Sequence, residues 1–236
     1  MEPAKIWITG AGRGIGKEAA FLFAERGASL FLSARSKEEL LRVASRCREK
    51  GAKVLELPLD VRSAEAVFDA VRRIEKEGGP PSVLFPAAGV GSFASLVETE
   101  PDEWNGMIET NLGGAFLCLR AALPGMIRAG YGKIILISSI AARTPFPNAA
   151  AYCASKAGVI ALGNCVREEL RGTGVRVSVL IPGAVDSSFW DRIGTDLDRA
   201  RMLPTRTVAE AVVRLAEEPP EGTTEEMTLL PPDGVL

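Results

Sequence analysis

The chain predicts a doubly wound α/β domain, a parallel sheet with helices packed on both faces. Three observations carry that expectation. Short apolar runs alternate with helical stripes along the whole length without a break. The first run, Ala4 to Thr9, breaks at once into GAGRGIG, after which Ile15, Ala19, Leu22 and Phe23 recur at helical spacing. The 236 residues are 47% hydrophobic, enough for one substantial core. Successive strands joined by crossover helices pair in parallel, so the alternation selects a parallel sheet. Residues 1–236 therefore read as one domain.

The elements follow in order. Ala4 to Thr9 is the first strand, and backbone without Cβ atoms in the loop after it lets a pyrophosphate come close. The helix beyond offers free N–H groups and the positive end of its dipole. Gly10, Gly14 and Gly16 are the candidate contacts, with Arg13 and Ile15 between them. Ser29 to Ser33 is a second strand, Lys37 to Lys50 a polar helix, and Lys53 to Leu59 a third strand. Val67, Ala70, Val71 and Ile74 mark the next helix, for which Asp60 is a candidate N-cap. A fourth strand, Ser82 to Phe85, precedes a long helical stripe from Trp104 to Ile127. Asn111 is the misfit on that stripe, since a buried amide needs partners or costs roughly 1 to 3 kcal/mol. KIILI is a buried strand, AAAYCASKAGVIALGNCVREEL a helix and VRVSVLI a further strand. Phe189 to about Leu203 is charged and irregular, and a helix from Val208 to Glu217 and a strand near Met227 to Leu230 close the domain.

Chemistry concentrates between Ser138 and Lys156. Tyr152 and Lys156 are spaced i and i+4, so phenol and ammonium leave one helix face about a turn apart. A cation beside a phenol favours the phenolate, and bringing its pKa from about 10 to about 7 takes about 4 kcal/mol. The same spacing also describes a ring packed on a lysine stem. The chain has no histidine, so acid/base work near neutral pH falls to Tyr152, Lys156, a cysteine or a shifted carboxylate. No histidine metal ligand exists either, and no metal site is expected.

The glycine register is G-x-x-x-G-x-G, not the G-x-G-x-x-G of the common dinucleotide fingerprint. With TGAGRGIG near the start, YCASK in the middle and Ser139 thirteen residues before Tyr152, the sequence resembles the short-chain dehydrogenase/reductases across nearly its whole length. The resemblance implies a seven-stranded Rossmann sheet in the order 3-2-1-4-5-6-7. It implies hydride transfer between a nicotinamide and a carbonyl or secondary alcohol. Ser139 would bind the substrate oxygen, Tyr152 would exchange the proton, and Lys156 would hold the ribose and lower the tyrosine pKa. Asn111 would anchor a water relay, the alternative being a purely structural bond. Asp60 and Val61 would contact the adenine. Pro86-Ala87-Ala88-Gly89 stands where the family commonly has N-N-A-G, so both amides are lost, while backbone contact through Ala87, Ala88 and Gly89 remains available. Pro182 and Gly183 would bring backbone against the nicotinamide, with Val185 and Ser187 beyond, and residues 187–204 would cover the substrate.

An NAD site usually places an acid after the second strand, and Ala34 stands there instead. Arg35 offers a planar fork for a 2′-phosphate, with Arg13 in the loop, so NADP(H) is expected over NAD(H). Arg35 also reads as the start of a solvated turn. Phe93, Phe146 and Trp190 are candidates for a substrate pocket or for plain core. A net charge of −2 gives no footprint for nucleic acid, and no Lys/Arg run or 18-residue apolar stretch points to a membrane. A cytoplasmic protein with a small-molecule carbonyl or alcohol substrate is expected, and the resemblance implies a homodimer or homotetramer. Cys47, Cys118, Cys153 and Cys165 read as buried free thiols. Two rivals remain: an NADP(H)-binding regulator on the same fold without turnover, and an isomerase or epimerase, whose chains are longer.

Overall fold

The structure, a computed structural model, describes residues 3–193 and 198–236. In chain order, β1 (Lys5–Thr9), α1 (Gly14–Glu25), β2 (Ser29–Ser33), α2 (Lys37–Glu49), β3 (Val54–Glu56), α3 (Ala64–Lys76) and β4 (Val83–Pro86) form the first half. The second half holds α4 (Pro101–Met107), a π-helical turn (Ile108–Gly113), α5 (Gly114–Ala129), β5 (Gly132–Ile137), α6 (Ala150–Glu169) and β6 (Val175–Pro182). It ends with β7 (Val185–Asp186), α7 (Trp190–Ile193), β8 (Leu203–Pro204), α8 (Thr205–Ala216) and β9 (Glu226–Leu229). Seven strands pair in parallel in the order β3-β2-β1-β4-β5-β6-β9, and β7 and β8 form a separate pair. The expected order holds, the last sheet strand being β9 because the small pair intervenes.

Strand alternation divides the core in two. Ile6 and Ile8 face one side of the sheet with Leu22, Leu40, Val43, Val208 and Val212 from α1, α2 and α8. Trp7 faces the other with Val67, Val71, Leu119, Met126 and Val159 from α3, α5 and α6. Trp7 is fully buried, and its Nε1 donates to Ser33 Oγ at 3.0 Å, so the indole satisfies its one donor across neighbouring strands. β1 pairs with β2 on one edge and β4 on the other, which puts the switch in winding direction at the carboxyl end of β1.

Several boundaries differ from the expectation. β3 is three residues rather than seven, although Leu57 N still reaches Leu32 O at 2.8 Å and Leu59 N reaches Ala34 O at 3.1 Å beyond it. Ser63, not Asp60, caps α3, its Oγ accepting from Ala66 N at 3.3 Å. The long helix Pro101–Ala129 carries an unexpected π turn around Asn111, where Gly114 N donates to Glu109 O, an i to i−5 bond. This helix is long and apolar enough by composition to cross a bilayer, yet Cys118, Leu119, Ala122 and Met126 pack it into the core. Cys47 and Cys118 are buried free thiols as expected, Cys153 is half-buried and Cys165 is exposed.

α6 lies close on the sheet through Gly163, where an added Cβ would sit 2.7 Å from Val179 Cγ2 and 3.0 Å from Leu136 Cδ1. Gly163→Val is therefore expected to destabilise the fold by about 1–3 kcal/mol through overpacking. A lower urea midpoint at unchanged m would show it, and an unchanged midpoint would contradict this packing.

Candidate active site

β5 ends at Ile137, and Ser138 and Ser139 follow at the carboxyl edge of the sheet. Ser139 N-caps the short 3₁₀ turn Ile140–Ala142, its Oγ accepting from Ala141 N at 3.2 Å, and it lines one cavity with the Tyr152 phenol. Lys156 is only 6% exposed, and its Nζ donates to Ile137 O at 3.1 Å. The ammonium lies 5.8 Å from the Tyr152 ring centroid. Serine, tyrosine and lysine thus meet at one strand end, Tyr152 and Lys156 from one helix face as their spacing predicts and Ser139 where the resemblance implies it.

The hydrogen bonds that aim them were not foreseen. Ser138 Oγ donates to Lys156 O at 2.8 Å, tying β5 to α6. Fully buried Ser155 donates to Tyr152 O at 2.8 Å and accepts from Asn111 Nδ2 at 2.9 Å. Asn111 Oδ1 accepts from Val90 N at 2.8 Å, and its Nδ2 also donates to Val90 O at 2.9 Å. The π turn aims this amide, so Asn111 clamps the loop after β4 to α6. That loop is held at its start by Ala87 N to Thr9 O at 3.2 Å and Ala88 N to Thr9 Oγ1 at 3.4 Å. Backbone bonds and one amide from α6's neighbour thus hold a loop whose own amides are missing. The available signals were Ser155 at i+3 from Tyr152 on a buried face and Ser138 beside Ser139.

A groove of about 470 Å³ runs over the carboxyl ends of β1, β2 and β4. Gly10, Arg13, Gly14, Ile15, Gly16, Arg35, Asp60, Val61, Ala87, Ala88, Gly89 and Ser187 all line it. Gly10 adopts φ +67°, and a Cβ there would lie 2.7 Å from Ala88 N, while one at Gly16 would run into Gly10 O. These two glycines let the loop fold on itself and against its neighbour. α1 starts with no side-chain cap and no acid in its first turn, so its leading N–H groups and dipole are open to an anion. The cradle fits a dinucleotide's phosphates. Arg35 is exposed on the groove. Asp60 pairs with Arg62 at 2.7 Å, and that guanidinium, with Arg35 contributing, holds its carboxyl below the usual range.

Glu39, a residue sequence reasoning passed over, also lines the groove, with Oε2 3.2 Å from where a Gly12 Cβ would stand. Its S-x-x-E spacing from the N-cap Ser36 reads as a capping partner, which hides its reach toward Gly12 and Ala34.

A second cavity, about 360 Å³, lies in front of Tyr152 and Ser139 and shares Ile15, Gly89, Val90 and Phe189 with the groove. Lys156, Pro182, Gly183 and Val185 line it, as do the pocket candidates Phe93, Phe146 and Trp190. Of the segment 187–204, residues Ser187, Phe189 and Trp190 reach the cavity, and 194–197 lie outside the described residues. Among the described residues no three His, Cys, Asp or Glu side chains cluster as metal ligands would.

Burial governs the charges. It pushes the Tyr152 phenol up to about 12, against the pull of the Ser139 hydrogen bond, and it pulls Lys156 down to about 8. Burial is the largest cause and outweighs the pull of Ser139 on the phenol.

Between pH 8 and the unfolded value of 10.5, the folded chain binds fewer protons at Lys156 than the unfolded chain, so stability rises with pH across that window. Below pH 8 the buried ammonium costs up to about 3 kcal/mol. Lys156→Met is expected to be more stable than the wild type at pH 7, without nucleotide, with the gap closing toward pH 10.5. Urea melts at three pH values test this, and a gap independent of pH would refute it.

The short chain dehydrogenase family model matches residues 4–198. An uncharacterised oxidoreductase of Staphylococcus aureus (strain MW2) is 32% identical over 224 residues, 95% of each chain. Another from Staphylococcus saprophyticus is 31% identical over 225 residues, also 95% of each. Among solved structures, an alcohol dehydrogenase from the archaeon Thermococcus sibiricus, complexed with 5-hydroxy-NADP, superposes with a TM-score of 0.89 at 33% identity, covering 97% of this chain and 96% of that one. A metagenomic short-chain oxidoreductase in complex with NADP gives 0.86 at 32% identity over 97% of both. Sequence and fold agree, and the chain belongs to the short-chain dehydrogenase family of oxidoreductases.

Proposed function

We propose that this chain is an NADP(H)-dependent oxidoreductase that interconverts a carbonyl and a secondary alcohol, with Tyr152 as the acid and base. The observation that carries the reading is the Ser139 and Tyr152 hydroxyls together with buried Lys156 on one cavity that shares a wall with the groove. In the reductive direction Ser139 and Tyr152 hydrogen-bond the carbonyl oxygen, and Tyr152 Oη gives it the proton. Lys156 Nζ, held by Ile137 O, keeps a positive charge next to the phenolate that results. Asn111 keeps the loop after β4 and α6 in register. The groove would hold the dinucleotide, with its phosphates at the start of α1, and the bound nicotinamide supplies or accepts the hydride.

Arg35, the missing acid at Ala34 and the NADP-type ligands named in the two solved neighbours support NADP(H). Glu39 opposes it, since its carboxylate sits where it repels a 2′-phosphate or accepts from a ribose hydroxyl. The phosphate contact is placed first because Arg35 lines the same groove with no carboxylate hydrogen-bonded to it in the structure described. The reading includes a cytoplasmic homodimer or homotetramer, for which exposed Phe116 and Ile127 on the long helix offer apolar surface.

Nucleotide oxidation with ketones, aldehydes and quinones tests the reading. Tyr152→Phe is expected to lower kcat by at least about 100-fold with nucleotide affinity retained. Tight NADPH binding without any turnover would instead favour a regulator. Arg35→Ala is expected to lower the NADPH/NADH ratio of kcat/KM about tenfold or more, and Glu39→Gln to raise it. Ratios unmoved by either would refute the assignment of the phosphate contact.

A further inference from the structure

We propose that the cavity before Tyr152 selects uncharged carbonyl compounds, or the matching alcohols, that carry a flat aromatic or alicyclic group beside the reacting carbon. The proposal rests on the oxidoreductase reading above and adds the substrate class.

Four rings from three separate segments make one wall. Phe93 lies 6.1 Å from Tyr152 and 6.0 Å from Trp190, centroid to centroid. Phe189 lies 5.7 Å from Tyr152 and 5.3 Å from Trp190, nearly perpendicular to the latter at 86°. The wall therefore runs from the phenol outward without a break. Its position is built in. Ala94 N donates to Asn148 O at 2.9 Å, tying the Phe93 loop to the turn before α6. Phe189 fits because Gly91 has no Cβ, which would overlap the ring tip.

The wall has little to offer a polar group. Trp190 Nε1 already donates to Val185 O at 3.0 Å, leaving the indole face. Phe146 and Leu236 add further apolar lining. Among the described residues Lys156 is the one charged side chain on the cavity, and it lies at the reacting end, turned to Ile137 O. A carboxylate or a chain of hydroxyls beyond the carbonyl would lose water and meet rings, whereas an aromatic group would meet them edge or face. A volume of about 360 Å³ is at the small end for small-molecule sites, which favours compact ligands.

The test compares kcat/KM for acetophenone, its para-carboxylate, cyclohexanone and dihydroxyacetone, with NADPH and NADH. Acetophenone and cyclohexanone are expected to exceed the carboxylate and dihydroxyacetone by about 100-fold, mainly through KM. Phe93→Lys is expected to raise the carboxylate relative to acetophenone by at least about tenfold. Equal or better turnover of the charged or polyhydroxylated compounds, or a ratio unmoved by Phe93→Lys, overturns the substrate class and leaves the oxidoreductase reading standing. No hydride transfer to any of the four with either nucleotide counts against both.

Discussion

The buried ammonium of Lys156 is the constraint on which the active end of this molecule depends. A cation that loses its hydration must be given dipoles in return, and here Ile137 O supplies one at the very end of β5. That bond requires α6 to pass over the strand end at one height and rotation. Gly163 lets the helix descend onto Val179 and Leu136, and Ser138 fixes it by donating to the Lys156 carbonyl. With α6 so placed, Tyr152 one turn earlier has to meet Ser139.

The second support comes from the other side of α6. A π turn spends one extra residue in the helix and swings Asn111 out of the regular ladder. Its amide then satisfies both backbone groups of Val90 and the hydroxyl of Ser155. The same neighbourhood admits Gly114 against Val61, where a Cβ would stand 2.6 Å from Cγ2. One irregular turn therefore joins the loop after β4, the loop after β3 and the helix bearing Tyr152. The loss of side-chain amides at Pro86 and Ala87 is tolerated because this clamp and Thr9 hold the backbone directly.

The groove and the cavity differ in character although they share a wall. The groove carries Arg35, Glu39 and Asp60 and the open end of α1, a mixture of charges suited to a polyanion with ribose hydroxyls. The cavity is walled by rings and aliphatic groups, and among the described residues its hydroxyls are those of Ser138, Ser139, Tyr152 and Ser187. Burial that raises the Tyr152 phenol to about 12 and lowers Lys156 to about 8 acts on both groups in the direction of neutrality. The cavity and the groove meet at Gly89 and Val90.

The sequence by itself determined what depends on neighbours along the chain. Alternating side chains put Ile6 and Trp7 on opposite faces, helical periodicity paired Tyr152 with Lys156, and the glycine register announced the turn into α1. Each is a short-range rule, so the elements, the glycine turn and the Tyr152, Lys156 pair were legible from the residues, whereas the sheet order and the place of Ser139 came from the resemblance to the family. Only the tertiary structure decided which polar atoms face one another across elements. The π turn at Asn111, the Ser155 link, Glu39 beneath Gly12 and the fit of Phe189 on Gly91 arise between segments far apart in sequence. So does the direction of the Lys156 ammonium, which spacing alone aimed at the phenol. Burial and hydrogen bonding are set by whatever packs against a residue, and no local pattern encodes that partner.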